Sequence, residues 1–344
     1  MKKAYFELSK KIVIEQYKKI VDISDIVSYS SKTNPHITKI LEKYTNCLFS
    51  MHLENELKNV ADKSRVLFLV QGWTKNDIIR LLKKGVKRFV VDNTYDLEVL
   101  ESFLEKNDAK IDLMLRVKLK ENTIRTERYF VFGMNSETIN KKIPKLRQNK
   151  KIVSLGIHFH RKTQNMAEWN LKYEIENMFG KGTLASIDVI NIGGGLPSEY
   201  ANTNVDVISS ILKRINDTKK YLNKKNIKMM TEPGRFIAAP AVKLRARIVA
   251  IYENNIIVNA SVYNSDMDAI IVPVKLRIKG EFEKSKGKAY AVKGITPCSL
   301  DLFRYRVYLD EPKIGDELVF LNAGAYNFTS DFCDLEKLNT VIVD

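Results

Sequence analysis

Lys32 closes the run Ile26-Val27-Ser28-Tyr29-Ser30-Ser31 and is followed by Thr33-Asn34-Pro35. Proline restricts the residue before it to extended backbone, so Asn34 lies outside a helix. The lysine therefore falls at the C-terminal end of a strand, just ahead of the next helix. An amine there can be desolvated until it attacks a carbonyl carbon and forms a Schiff base. The alternative is a strand-end lysine reaching to solvent. Asn191-Ile192-Gly193-Gly194-Gly195-Leu196-Pro197 offers glycine backbone N–H groups that can approach an anion closely, a nest for phosphate, or else a flexible turn. Thr231-Glu232-Pro233-Gly234-Arg235-Phe236 supplies a second glycine, and Gly234 beside Gly195 would face one phosphate group. A Glu232 carboxylate set against a pyridine nitrogen would keep that nitrogen protonated, so that the ring withdraws electrons. The competing reading pairs Glu232 with Arg235 or another barrel arginine. In Gly156-Ile157-His158-Phe159-His160, strand alternation puts His158 and His160 on one side. His160 at the strand end can lie flat on a cofactor ring, or serve as a core histidine.

These groups need elements that bring strand ends together. Strand-like runs are Ile26–Ser30, Cys47–Met51, Val66–Val70, Arg88–Val91, Ile111–Val117, Val153–Phe159, Ile187–Ile192 and Ile227–Met230. Helical patterns lie between them at His36–Tyr44, Leu53–Val60, Lys75–Lys84, Tyr95–Lys106, Glu137–Gln148, Leu171–Phe179 and Asp206–Leu222. The strands are short, Val- and Ile-rich and apolar on both faces, as parallel strands buried on both sides must be. Eight of them in roughly 200 residues predict a closed (β/α)8 barrel, spanning residues 22–240. An open doubly wound sheet would carry GxGxxG after its first strand, and Lys32 stands there instead. From about Ala241 the rhythm changes to strands without long helices, at Val242–Ile251, Asn255–Val262, Ile270–Ile278, Lys288–Val292, Tyr305–Tyr308, Glu317–Leu321 and Thr340–Val343. That predicts a second, β-rich barrel or sandwich domain over residues 241–344, with residues 1–10 adding a strand. The fold class is α/β.

The 344 residues suffice for one large domain and a smaller one. The net charge of +16 comes mostly from lysines scattered over helix faces. There is no basic stripe with interleaved aromatics and no reader motif, which argues against nucleic acid. A basic field still attracts an anionic cofactor or an amino-acid carboxylate. Cys47, Cys298 and Cys333 are too widely spaced for a disulfide framework or a CxxC metal site. His36, His52, His158 and His160 form no HExxH, so no metal site is expected. The residues from Met1 to Glu7 hold no uninterrupted apolar stretch and no segment reaches membrane-spanning length, so a cytoplasmic protein is expected.

Lys32, His160, the triple glycine and Glu232 each sit at a different strand end, the distribution that a pyridoxal-phosphate site in a barrel requires. The chain resembles the alanine-racemase-like fold type and, within it, the ornithine/diaminopimelate/arginine decarboxylase family. The matching stretches are Tyr29–Asn34, Gly156–His160, Gly193–Gly195, Glu232–Arg235, Cys298–Asp301 and Gly324–Tyr326, in the family's order over nearly the whole chain. Glu232-Pro233-Gly234-Arg235 followed by Phe236 is the most specific of them. The resemblance implies that Lys32 carries the Schiff base, His160 stacks on the pyridine ring and Glu232 binds its nitrogen. Gly195, Gly234, Arg235 and Tyr326 would surround the phosphate, with Gly193 and Gly194 in the same turn, and Arg116 would lie near the lysine. It also implies a head-to-tail homodimer with the active site at the interface. Cys298 and Asp301 would then act from the other subunit, the cysteine as proton donor and Asp301 on the substrate.

The chain also departs from the family. Gly294-Ile295-Thr296-Pro297-Cys298 places the cysteine one residue later than the usual pattern, in the neighbouring acidic position. His160-Arg161-Lys162-Thr163 replaces the usual serine-bearing loop, so Thr163 would take over as a phosphate ligand. The aspartate common at the end of strand two is Ser50, with His52 nearby. No acidic residue that reads a distal amino group follows Tyr263 in the usual place. Asp266 and Asp268 are the nearby candidates, with Tyr263 itself lining the substrate.

The expected reaction is α-decarboxylation of a basic amino acid or carboxylated polyamine (ornithine, lysine, arginine or carboxynorspermidine), giving an amine for polyamine synthesis. The alternative is diaminopimelate, whose second carboxylate wants a cation that Arg161 or Lys162 could supply. Two rivals are a racemase, against which Glu232 argues, and an inactive regulatory homologue, against which Lys32 and the phosphate residues argue. A small barrel-only cofactor-binding protein would lack the β-rich part.

Overall fold

In the computed structural model, residues 2–119, 131–203, 205–283 and 286–344 are described. Two compact units emerge: Met1–Gln16 with Ser198–Asp206 and Arg235–Asp344, and Tyr17–Pro197 with Val207–Gly234.

In chain order the chain opens with β1 (Tyr5–Ser9), α1 (Lys10–Val21), β2 (Ile26–Ser30), α2 (Pro35–Tyr44), β3 (Leu48–Met51), β4 (Val66–Val70), α3 (Lys75–Lys83), β5 (Arg88–Val91) and α4 (Thr94–Lys106). It continues with β6 (Ile111–Arg116), α5 (Ser136–Leu146), β7 (Ile152–His158), α6 (Leu171–Met178), α7 (Lys181–Ala185), β8 (Val189–Asn191), α8 (Ile208–Asn223) and β9 (Lys228–Thr231). Strands β2 to β9 pair in parallel, each with the next. The ring closes where β2 meets β9, with Ile26 opposite Met230 and Val27 opposite Thr231. This is the (β/α)8 barrel that the alternation of Val- and Ile-rich runs with helices called for.

The barrel interior is layered. Leu67, Val90, Met114, Val189 and Met230 form a buried apolar cluster, with Ile26 and Leu48 packed against it. Successive side chains on a strand alternate faces, so the residues two steps further on point the same way. Those residues are Ser28, Ser50, Leu69, Asp92, Arg116, Asn191 and Glu232, with His158 on β7, all polar but Leu69. One step of alternation therefore converts a greasy floor into a polar layer at the C-terminal mouth, where barrel strands deliver their chemistry.

The other unit follows with α9 (Arg235–Ala241), β10 (Val242–Tyr252), β11 (Asn255–Val258), α10 (Val262–Ser265), α11 (Asp268–Ile271), β12 (Arg277–Ile278), β13 (Lys288–Lys293), β14 (Leu302–Leu309), β15 (Glu317–Leu321) and β16 (Asn339–Val343). Its strands form a mixed sheet in the order β12-β15-β10-β11-β13-β14. β1 lies antiparallel to β10, Tyr5 opposite Arg245, and parallel to β16.

Three expectations change. Leu53–Val60 is not an α-helix but a 3-10 stretch, Glu54–Asn59. The Glu56 carboxylate turns back to accept the backbone N–H groups of His52 and Leu53, which tightens the turn. The strand expected to reach Val262 stops at Val258, because the Ser261 hydroxyl accepts the N–H of Tyr263 and starts a helical turn. Of Ile270–Ile278 only Arg277–Ile278 is strand, and its first part continues α11. Among the described residues no helix is long and apolar enough to cross a membrane.

Candidate active site

β2 ends at Ser30, and Ser31–Thr33 make one 3-10 turn that carries Lys32 to the mouth. Asn34 is extended, as the following proline demands. Its side chain accepts the N–H of His36 at 3.1 Å and so caps α2. Lys32 is thus held between a strand end and a capped helix start. Its Nζ lies 3.2 Å from His52 Nε2.

Glu232, directly after β9, is 4% exposed. Asn191 Nδ2 donates to its Oε1 at 2.6 Å, and His158 Nε2 is 3.5 Å from the same oxygen. Burial pushes this carboxyl up, but His158 and the Asn191 hydrogen bond outweigh it and bring the pKa down to about 2. Glu232 is therefore a buried, charged carboxylate. It does not pair with Arg235, whose guanidinium is bonded to Asp268 through both terminal nitrogens, Nη2 to Oδ1 at 3.0 Å.

His160 follows β7 on the same side as His158. Gly194 N–H donates to its Nδ1 at 3.2 Å, which puts the imidazole proton on Nε2. Enclosure by protein lowers its pKa to about 3, with His158, Arg116 and Lys32 acting in the same direction and Glu232 opposing them. The ring is neutral, and the residue keeps a solvent-exposed face at the barrel mouth. His158 is completely buried, and among the described residues neither ring nitrogen has a hydrogen-bond partner, Nε2 meeting Glu232 as an electrostatic neighbour.

The glycine turn is partly spent on its own architecture. Gly193 donates to Asn191 Oδ1 at 2.9 Å and Gly194 to His160, so these two N–H groups hold the barrel mouth together. This revises the nest read from sequence, leaving Gly195 alone of the three outside these two bonds. At Gly193 (φ +68°) a Cβ would lie 2.4 Å from Phe159 O, which only glycine avoids. At Gly234 a Cβ would lie 2.3 Å from Thr33 Oγ1, a buried hydroxyl without a hydrogen-bond partner among the described residues. Arg116 ends β6, with Nη1 3.0 Å from Asp92 Oδ1 and its guanidinium 4.9 Å from the Phe132 ring centre. Thr163 lies in the loop after His160.

In the other unit, Arg235 donates to Tyr200 Oη at 2.8 Å and lies 5.2 Å from the Tyr326 ring centre. Asp268 is engaged by this arginine and is not available to a substrate amine. Asp266 is fully buried, neither carboxylate oxygen has a hydrogen-bond partner among the described residues, and burial, aided by Asp268, raises its pKa well above the ordinary range. Asp301, expected on the substrate, instead brackets its own segment. Its oxygens accept the N–H of Val262 at 2.8 Å and the N–H and hydroxyl of Thr296 at 3.0 and 2.7 Å. Cys298, half-buried, shares a hydrogen bond with Tyr263 Oη at 3.2 Å that pulls the thiol's pKa down. Tyr263 in turn stacks on Phe332, ring centres 3.9 Å apart. Arg161 is 2% exposed and paired with Glu174, so it offers no free cation.

Sequence reasoning missed that Asn191 and His158 hold Glu232, and that Asp268, a candidate for the substrate's distal end, pairs with Arg235. Asn191 and His158 had a usable signal, namely that each stands on the face of its strand that leads into the mouth.

The chain matches the pyridoxal binding domain of the pyridoxal-dependent decarboxylases over residues 11–239. It is 24% identical over 336 residues to the 2-[(L-alanin-3-ylcarbamoyl)methyl]-2-hydroxybutanedioate decarboxylase of Staphylococcus aureus, covering 88% of this chain and 82% of that one. It is 22% identical over 358 residues to a probable ornithine decarboxylase of Dictyostelium discoideum, covering 95% and 76%. The structure of diaminopimelate decarboxylase from Helicobacter pylori, complexed with L-lysine, shares its fold with a TM-score of 0.83 at 17% identity, over 100% of this chain and 92% of that one. The chain belongs to the pyridoxal-dependent decarboxylases. Amino-acid decarboxylation is its chemistry and pyridoxal phosphate its cofactor.

Proposed function

We propose that the chain removes the α-carboxylate of an L-amino acid with a basic distal end, a basic amino acid or a carboxylated polyamine, and releases the corresponding amine. The observation that carries the site assignment is the joint geometry of Lys32, His160 and Glu232: an exposed amine, a neutral ring and a buried carboxylate at three strand ends of one barrel mouth.

The residues present fit pyridoxal phosphate. Bound there, the cofactor supplies an aldehyde for an amine and a protonated pyridine ring that withdraws electrons from the breaking carboxylate bond. Lys32 is the amine that would bond the aldehyde. Glu232, held negative by Asn191 and His158, would keep the ring nitrogen protonated, and His160 would pack its neutral face on the ring. Gly195, Gly234 and the buried Thr33 hydroxyl would take the phosphate, with Thr163 as a further ligand and Gly193 and Gly194 shaping the turn. Arg116, neutralised in part by Asp92, would face the substrate side of Lys32.

Cys298 is the proposed proton donor to the α-carbon. The Tyr263 hydrogen bond lowers the thiol's pKa, which eases release of its proton from Sγ. Asp301 supports this role by fixing the Thr296–Cys298 segment instead of touching substrate. In the family's arrangement these residues act from the second subunit of a homodimer, and we carry that arrangement over as part of the proposal.

For the distal end, Asp266 supports a basic group. A buried carboxyl with no partner would gain most from an arriving ammonium ion. A second reading, a substrate with a polar or anionic distal end, takes Cys298 to fill the neighbouring acidic position rather than that of the proton donor. The Staphylococcus relative, whose named substrate carries several carboxylates, adds to it.

The test is a substrate panel on the purified protein with product amines read by mass spectrometry. It would hold ornithine, lysine, arginine, diaminopimelate, carboxynorspermidine and a carboxylated diaminopropionate amide. An amine from one of the basic substrates is expected. Turnover confined to the polycarboxylate would replace the first reading by the second, and racemised amino acid without amine would overturn both.

A further inference from the structure

The family resemblance places an aspartate at the end of β3. Here that residue is Ser50, and its hydroxyl is engaged by Ser28 Oγ at 2.8 Å. The group that meets Lys32 Nζ instead is His52, two residues further on, with Nε2 at 3.2 Å. The loop that carries His52 is braced. Glu56 Oε1 accepts the N–H of His52 at 2.8 Å and of Leu53 at 2.9 Å, and lies 4.0 Å from His52 Nδ1. Neither His52 Nδ1 nor Glu56 Oε2 has a hydrogen-bond partner among the described residues, and both are shut off from solvent. A ring whose Nε2 faces an amine and whose Nδ1 faces a carboxylate has one sensible tautomer: the proton on Nδ1 and the lone pair on Nε2.

We propose that His52 is a positioning residue for Lys32, an uncharged hydrogen-bond acceptor that holds Nζ in the barrel mouth in the role filled by a carboxylate elsewhere in the family. This rests on Lys32 being the cofactor-bonding lysine. The charged and titratable groups that face His52 are Lys32 and Arg116, both cationic, with Glu232, Glu56 and His158. Burial first, then the two cations, hold the imidazole's pKa down to about 4, so it is neutral wherever the enzyme would work. The choice has a chemical consequence. A carboxylate ~3 Å from an amine stabilises its ammonium form and takes the nucleophile away, whereas a neutral acceptor orients the amine with far less of that effect.

The test is the pH profile of Lys32 acetylation in the cofactor-free full-length chain, read by peptide mass spectrometry. The chain would be compared as it stands, as His52→Asp and as His52→Gln. In His52→Asp the midpoint should move to higher pH, and labelling at neutral pH should fall about tenfold for every pH unit the midpoint rises. In His52→Gln, which keeps an uncharged acceptor, the profile should stay within about twofold of the parent. Superimposable profiles for all three chains would overturn the proposal, as would a Gln variant that behaves like the Asp variant. Borohydride trapping of pyridoxal phosphate on the parent chain tests the underlying reading separately. A trapped group on Lys32 supports it, and one on another lysine overturns both it and the proposal.

Discussion

At the scale of single residues, the chemistry depends on charges that burial alone would not allow. Glu232 is nearly inaccessible yet ionised, because an amide donor and an imidazole outweigh its desolvation. Its folded pKa lies below the ordinary carboxylate value, so its contribution to stability is present above about pH 4.5 and is lost as pH falls toward 2. Glu232→Gln keeps the shape and removes the charge. Turnover should drop by roughly a hundredfold or more while the cofactor's absorbance stays with the protein, and an undiminished rate with cofactor bound would refute the ring-nitrogen role. Asp266 is the opposite case. Burial, helped by Asp268, raises its pKa, so the folded state holds its proton more tightly than the unfolded one. Its share of stability is therefore full at acid pH and declines as pH rises. Asp266→Asn should show a melting-temperature advantage over the parent that widens from acid to alkaline pH, measured by calorimetry. An advantage independent of pH would show that the carboxyl does not titrate this way. That Lys32, His160 and Glu232 stand at strand ends was legible in the sequence, because an apolar run that closes on a polar residue is a local pattern. The His52–Lys32 contact was not, since it depends on where a loop folds back.

At the scale of elements, Asn34 and Arg65 show two kinds of positioning. Asn34 followed by Pro35 reads directly as a helix start, and the side chain caps α2 as such a residue should. Arg65, just before β4, carries no such signal. Its guanidinium donates to Glu42 O at 2.8 Å, Thr45 O at 2.8 Å and Cys47 O at 2.6 and 2.9 Å, tying the end of α2 to the start of β3. It also lies over the Phe49 ring at 5.0 Å. A lysine has no planar fork to reach three carbonyls at once. Arg65→Lys should therefore cost about 1–3 kcal/mol in urea denaturation, and a loss within error of zero would mean water replaces the fork freely. The same reasoning explains the expected helix at Leu53–Val60. Its apolar spacing was helical, but the Glu56 carboxylate competes for the backbone N–H groups, a preference that periodicity does not register.

At the scale of the whole molecule, the barrel mouth supplies Lys32, His160 and Glu232, while Cys298 lies in the other unit on a segment flanked by exposed Ile295 and Leu300, at 48% and 60%. Apolar side chains left open beside Cys298 are the kind of surface a second copy covers. If Cys298 serves the partner's site, inactive Lys32→Ala and Cys298→Ala chains should complement when mixed. Random reassociation of a two-fold dimer would restore about a quarter of the parent activity, and no recovery despite subunit exchange would place Cys298 in its own chain's site or outside any site. The sequence by itself determined the alternation of strands and helices, the closed barrel and the strand-end motifs, because these depend on near neighbours and on period-two burial. The tertiary structure decided which groups meet. The ring sets β8 between β7 and β9, so that His158 and Asn191 hold Glu232, and it pairs β2 with β3, which places Ser50 against Ser28 while His52 meets Lys32. Folding of the other unit gives Asp268 to Arg235 and Asp301 to Val262. Such pairings form between residues distant in sequence, where the strength of each depends on desolvation and geometry that no local pattern encodes.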